Sequence, residues 1–166
     1  QRLIKERWIA PAEDSATPHV QWLGSAKLNR LLDALLDVAF ETSRADIGSV
    51  MFYDKTNNEL TIKASRGIAE NIVKNAKVKM GEGISGIAIK EGRAFLIDTA
   101  TRDSRITPYL ARPQIRSSMV IPLKIEDTVV GVMNVGALNT SPVQFNENSM
   151  ALMIKLADLA TVAIHP

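Results

Sequence analysis

Apolar residues recur at helical spacing through Leu28, Leu31, Leu32, Leu35, Val38 and Ala39, with Leu36 and Phe40 widening the stripe, and the pattern stops near Arg44. It predicts a helix over residues 25–44 with Ser25 as its N-cap. A stripe that wide covers a sheet and still offers a seam to another helix. Residues 47–53 and 59–65 then read as two strands joined through Asp54-Lys55-Thr56-Asn57-Asn58, whose Asp and Asn suit a tight turn. Residues 68–76 predict a short helix, and Val78-Lys79-Met80 leads into Gly81-Glu82-Gly83-Ile84-Ser85-Gly86. In that run Gly81 and Gly83 permit backbone angles closed to other residues, and residues 84–91 read as a short helix ending near Gly92. A strand is expected over 94–98. Residues 99–114, with Pro108 and Pro113, form a long irregular connection, a length typical of binding lids.

The C-terminal third is the most regular. Residues 117–125 and 128–138 predict a second hairpin with Glu126-Asp127 at its turn, and Val129, Val130, Val132 and Val135 supply β-branched residues. Asn146 is a good N-cap, Phe145 before it can staple onto Met150, and Leu152, Met153, Leu156, Leu159, Ala160 and Ala163 continue an apolar helical stripe. Helix, two strands, helices, strand, lid, two strands and helix add up to an α+β domain. The expected architecture is a central, mostly antiparallel sheet covered by helices.

Residues 1–24 differ from the rest. Leu3, Ile4, Trp8 and Ile9 fit one face of a short helix, and Pro11, Pro18 and Glu13-Asp14 then mark a linker. Trp8 and Trp22 anchor this arm either on the domain or on a second copy of it. Residues 25–166 form the one sizeable core that 166 residues with 46% hydrophobic content support, so a single soluble globular domain is expected. Because the chain starts at Gln1, it reads as a piece of a longer protein.

Charge and chemistry narrow the function further. A formal net charge of +2 lacks the single-sign bias of a dedicated nucleic-acid binder, so no nucleic-acid partner is expected. Nor is a membrane partner, since no apolar run approaches the roughly 18–20 residues that span a bilayer. The chain has no cysteine, which excludes a disulfide framework and fits a reducing, cytoplasmic location. Its two histidines, His19 and His165, lie near the two ends.

Three segments in this order and spacing resemble the GAF domain family, the sensory modules of signalling enzymes and transcription regulators. Gly81-Glu82-Gly83-Ile84-Ser85-Gly86 resembles its Gly-x-Gly-hydrophobic-x-Gly turn, Arg116-Ser117-Ser118-Met119-Val120-Ile121-Pro122-Leu123 its Arg-Ser-x-x-x-x-Pro-Leu strand, and Val130-Gly131-Val132-Met133-Asn134-Val135 the strand that follows. Phe145, Asp98 and Asp103-Ser104-Arg105 fit as well, and the match covers residues 25–164. The resemblance implies a ligand pocket on one face of the sheet and the terminal helices on the other. It also implies no cofactor here. Members that hold a linear tetrapyrrole, and relatives that reduce free methionine sulfoxide, both need cysteine. Haem-binding members use an axial ligand, and neither His19 nor His165 falls on a pocket strand or the lid. The cyclic-nucleotide pattern fails too, because Thr140 follows Asn139 where a basic residue belongs, and Ser149 and Met150 stand where Asp-Glu would fall.

The glycine-rich turn invites a phosphate-binding reading, but no Walker lysine-serine pair follows it and Glu82 repels phosphate, which favours a structural hinge. Arg102, Arg105, Arg112 and Arg116 cluster around the expected lid. One or two of them reach an anionic ligand, or all form surface ion pairs with Asp98 and Asp103. The candidate ligand-binding set is Ser49, Met51, Arg105, Tyr109, Arg116, Ser117, Met119 and Met133, polar and polarisable residues of the strands and lid. The partners expected are an unidentified small molecule, anions among the candidates, a second copy through the terminal helices, and an attached or separate output domain. The sequence thus reads as a non-enzymatic sensing and dimerisation module. Its alternatives are a dimerisation scaffold without a ligand and an enzyme built on Asp98 and Asp103, for which no nucleophile-base pair is in sight.

Overall fold

The structure, a computed structural model, describes residues 24–98 and 115–165. The expected N-terminal helix and linker with Trp8, His19 and Trp22, and the connection 99–114 with Arg102, Asp103, Arg105, Tyr109 and Arg112, lie outside the described residues.

Helix α1 (Ser25–Ser43) starts one residue earlier than the capping expectation requires: extended Gly24 is the N-cap, without a side-chain hydrogen bond, and Ser25 already lies inside the helix. The helix buries Leu28, Leu32, Leu35, Leu36 and Ala39. Arg44 ends it in the left-handed region at φ 62°, with its N–H on the Phe40 carbonyl at 2.7 Å. Strands β1 (Ile47–Asp54) and β2 (Glu59–Arg66) follow as the expected hairpin. Its turn is built by Asp54, whose Oδ1 accepts from the Thr56 N–H at 2.9 Å, and by Asn58 at φ 55°, whose Oδ1 accepts from the Tyr53 hydroxyl. Arg66 fastens the far end of β2 to α1, donating to the Asp37 carboxylate and, at 3.0 Å, to the Asp33 carbonyl.

Next come α2 (Glu70–Asn75), β3 (Lys77–Lys79), α3 (Gly83–Glu91) and β4 (Phe95–Ile97). The lead-in at Val78 is therefore a short edge strand, paired with β2 from Glu59↔Lys79 to Thr61↔Lys77. Its exposed lysines, Lys77 and Lys79, blunt that edge against pairing with another chain. Strands β5 (Ile115–Ile125) and β6 (Thr128–Leu138) form the longest hairpin, and α4 (Glu147–Ile164) closes the described chain. Asn146 caps α4 as expected: its side chain accepts from the Ser149 N–H at 2.9 Å, and the Ser149 hydroxyl reaches back to the Asn146 N–H in a capping box.

The six strands lie in the order β3-β2-β1-β6-β5-β4, with every neighbouring pair antiparallel. Helices α1 and α4 pack on each other, α4 lies against β5, and α1 lies against β2 and β1. Leu28, Leu32, Leu36, Phe52, Met119, Ile121, Met133, Met153 and Ile164 are fully buried in the resulting core. Helices α2 and α3 belong to the other side of the sheet, where α3 meets β6, β5 and β3 and α2 meets β2. This is the α+β sandwich that the hydrophobic pattern anticipates, with a cavity on the side away from the terminal helices.

Candidate functional site

Residues facing one another across an antiparallel pair share a face of the sheet. Ser49 on β1 pairs with Asn134 on β6, which pairs in turn with Val120 on β5. This row forms the floor of a cavity of about 240 Å³. Met51 and Ile62 extend the floor, Ile68, Ile72, Ala76 and Val78 wall it along α2 and β3, Ile84 and Ser85 contribute from α3, and Ile115 and Ser118 come from β5. Among the described residues of this wall there is no ionisable side chain.

Three polar groups from three elements converge on the floor. The Ser85 hydroxyl donates to Asn134 Oδ1 at 3.2 Å, and Asn134 Nδ2 donates to Ser49 Oγ at 3.4 Å. Ser85 is brought there by the glycine-rich turn. Gly81 and Gly83 take φ of 85° and 63°, which is strained for any residue with a side chain, and Gly86 packs so close to β3 that a Cβ would sit 2.4 Å from the Lys79 carbonyl oxygen. Two of the turn amides bond within the turn, Gly81 N–H to the Gly86 carbonyl at 2.9 Å and Glu82 N–H to that of Lys79 at 3.0 Å. That geometry makes the turn a tight structural link between β3 and α3.

The expected site residues divide sharply. Ser49 and Met51 line the cavity. Arg105 and Tyr109 lie outside the described residues. Ser117, Met119 and Met133 need correction, because the opposite strand parity applies: Ser118, Val120 and Asn134 face the cavity, so their neighbours turn toward α1 and α4. Alternation along β5 and β6 does not say which face is which; the pairing of Ser49 with Asn134 and of Asn134 with Val120 does. Met119 and Met133 are core residues with no exposed surface. Ser117 is 2% exposed, and its hydroxyl has no hydrogen-bond partner among the described residues. Replacing it with alanine is expected to raise stability by about 1 kcal/mol, since the buried hydroxyl loses its hydration without compensation. A urea unfolding curve with a higher midpoint and unchanged slope checks this.

Arg116 also needs correction. Its guanidinium does not line the cavity but donates to the Asn139 carbonyl at 3.3 Å, the Val143 carbonyl at 3.5 Å and the Ser141 carbonyl. It clasps the loop that runs from β6 into α4, where the Ser141 hydroxyl accepts from the Val143 N–H at 3.1 Å. Arg116→Ala is expected to cost about 1.5–3 kcal/mol, the range for hydrogen bonds made by a charged group. Urea unfolding measures that loss, and Arg116→Lys, which cannot span three carbonyls with one planar fork, restores only part of it.

Ser85, Ser118 and Asn134 escape the sequence reading. Only Asn134 leaves a local signal there, as the one amide in the apolar run Val129–Leu138. Among the described residues the ionisable groups that the fold perturbs are Tyr53, raised by burial and then by Asp54, and Lys63, lowered by burial and partly restored by Asp54. Neither lines the cavity.

A six-stranded antiparallel sheet thus carries two long helices on one face and a polar-floored cavity on the other. The family model described as "GAF domain" matches residues 25–165, and the chain belongs to that family. GAF domains are sensory and regulatory modules of signalling proteins. Similar solved structures include the GAF domain of a phosphoenolpyruvate-protein phosphotransferase from Acinetobacter, at 21% identity and TM-score 0.69 over 82% of this chain and 81% of that one. The type II free methionine-R-sulfoxide reductase of Thermoplasma acidophilum is similar at 16% identity and TM-score 0.67, over 84% and 92%. The second GAF domain of DevS from Mycobacterium smegmatis aligns at 21% identity and TM-score 0.64, over 82% and 91%. At these identities the likeness is one of fold. A search of curated proteins returned no significant match. Among the described residues no helix is long and apolar enough to cross a membrane.

Proposed function

We propose that this chain is a non-enzymatic module that senses a small molecule and dimerises, regulating an output domain attached to it or held as a partner. The observation that carries the reading is the cavity of about 240 Å³ with Ser49, Ser85 and Asn134 converging on its floor, on the face of the sheet away from α1 and α4. The wall offers serines, an asparagine and apolar side chains, a set suited to binding and without a general base for chemistry.

The terminal helices supply the second half of the proposal. Leu152 and Leu159 on α4 are 53% and 69% exposed, seven residues apart, so they lie on one line along the helix with Leu156 and Ala163 beside them. Val38 on α1 is exposed too, with the half-buried Leu31 seven residues before it. A second copy is the occupant we assign to this face, since a two-fold axis sets the same apolar line of each protomer against its twin. The clasp of Arg116 on residues 139–143 links the cavity strands to the start of α4, which gives occupancy a route to that interface. A ligand shifts the helices only as far as its affinity differs between their arrangements.

Native mass spectrometry of the freshly purified chain, set against its denatured mass, tests the reading. A dimer that carries a discrete extra mass supports it. An empty monomer contradicts both halves.

A further inference from the structure

We propose that the cavity takes an uncharged, mostly apolar molecule of roughly ten non-hydrogen atoms that carries one hydrogen-bond acceptor, such as a ketone or amide carbonyl, at its polar end. This rests on the small-molecule-sensing reading above and names the chemistry of that ligand. Size comes first: an apolar protein cavity of about 150 Å³ accepts benzene. At about 240 Å³ the present one holds a ring with a short substituent.

The acceptor follows from the proton count on the floor. An asparagine amide carries two N–H groups and each serine one O–H. The Ser85–Asn134–Ser49 chain uses one hydroxyl proton and one amide proton. Reversing the amide exchanges the roles of the two serines and leaves the same total. Either way one N–H and one O–H remain to be offered; lone pairs on the oxygens also stay free, but a buried donor left unmet is the rarer state. Ser85 sits in the first turn of α3, whose positive end favours an oxygen with partial negative charge.

Among the described residues, what surrounds these donors favours a neutral group. The described wall holds neither lysine nor arginine, and an unpaired carboxylate or phosphate buried there loses its hydration without a counter-charge. Arg116, the one described member of the arginine group that suggested an anion, is engaged with carbonyls 139, 141 and 143.

Three probes of nearly equal size separate the possibilities in a titration followed by amide NMR shifts of the full chain: propiophenone, propylbenzene and 3-phenylpropanoate. Propiophenone is expected to shift the signals of Ser49, Ser85 and Asn134 and to bind about tenfold tighter than either of the others, the worth of one well-made hydrogen bond. Asn134→Leu should reduce its advantage over propylbenzene to near unity while propylbenzene binding persists. Should that variant fail to fold, Ser49→Ala, which removes one hydroxyl, should cut the same advantage several-fold. Tighter binding of 3-phenylpropanoate at the same residues would overturn the neutral class and leave the sensing reading intact. If no probe shifts a cavity residue while the native mass spectrum shows a discrete bound mass, the class is wrong and the reading stands. If that spectrum is empty as well, both fall.

Discussion

Exchanging Leu152 and Leu159 together for glutamate should break the proposed dimer into monomers at concentrations where the parent is fully associated. Both side chains are already more than half exposed within one protomer, so the double substitution leaves the folded core intact. In the proposed dimer each leucine buried would contribute up to about 1.5–3 kcal/mol, and the two-fold axis would double every loss while setting like charges together. Discounting for partial burial still leaves a weakening of at least about a thousandfold in Kd. Sedimentation equilibrium reads the change directly, and an unchanged circular dichroism spectrum shows that folding is not its cause. A parent chain that sediments as a monomer, or a variant that stays dimeric, removes these residues from the interface.

Gly86→Ala is expected to be the most damaging single methyl group on the cavity side. Its Cβ would stand 2.4 Å from the Lys79 carbonyl oxygen and 3.0 Å from the Gly81 nitrogen, both backbone atoms that have no rotamer in which to retreat. Helix α3 must then lift off β3, which stretches the Gly81 N–H bond to the Gly86 carbonyl and carries Ser85 away from Asn134. Overpacking of this kind costs about 2–3 kcal/mol, or about 8 °C in Tm for a domain of this size. Thermal unfolding measures it. The loss of Ser85 from the floor should appear separately, as weaker binding of any acceptor-bearing probe well below the melting temperature.

The parts of the fold that sequence discloses are those written in neighbouring residues. Asn146 caps α4 because its partner Ser149 is three positions away, and β6 begins and ends where its valines and turn residues say it should. The Asp54–Asn58 turn is local in the same sense. The cavity is less legible because its floor is made by pairing across the sheet. Whether Met119 or Val120 faces the ligand side is set by the pairing of Val120 with Asn134 and of Asn134 with Ser49, and alternation alone predicts either outcome equally well. Arg116 misleads for a related reason: its carbonyl partners lie 23 to 27 residues further on, and a guanidinium in a family strand looks the same in sequence whether it meets a ligand or a loop. Asn134 is the instructive omission. An amide inside an apolar strand has to be satisfied by something, and here the partners are Ser49 and Ser85, reached through β1 and α3.

Amide hydrogen exchange across the whole chain, with and without saturating propiophenone, tests most directly whether occupancy of the cavity reaches the helical face. The expected result is slower exchange at the cavity strands β1 and β6 together with a change in residues 139–145 and along α4. Protection confined to the cavity wall, with α1 and α4 exchanging as before, would contradict a sensing role and leave only a binding pocket.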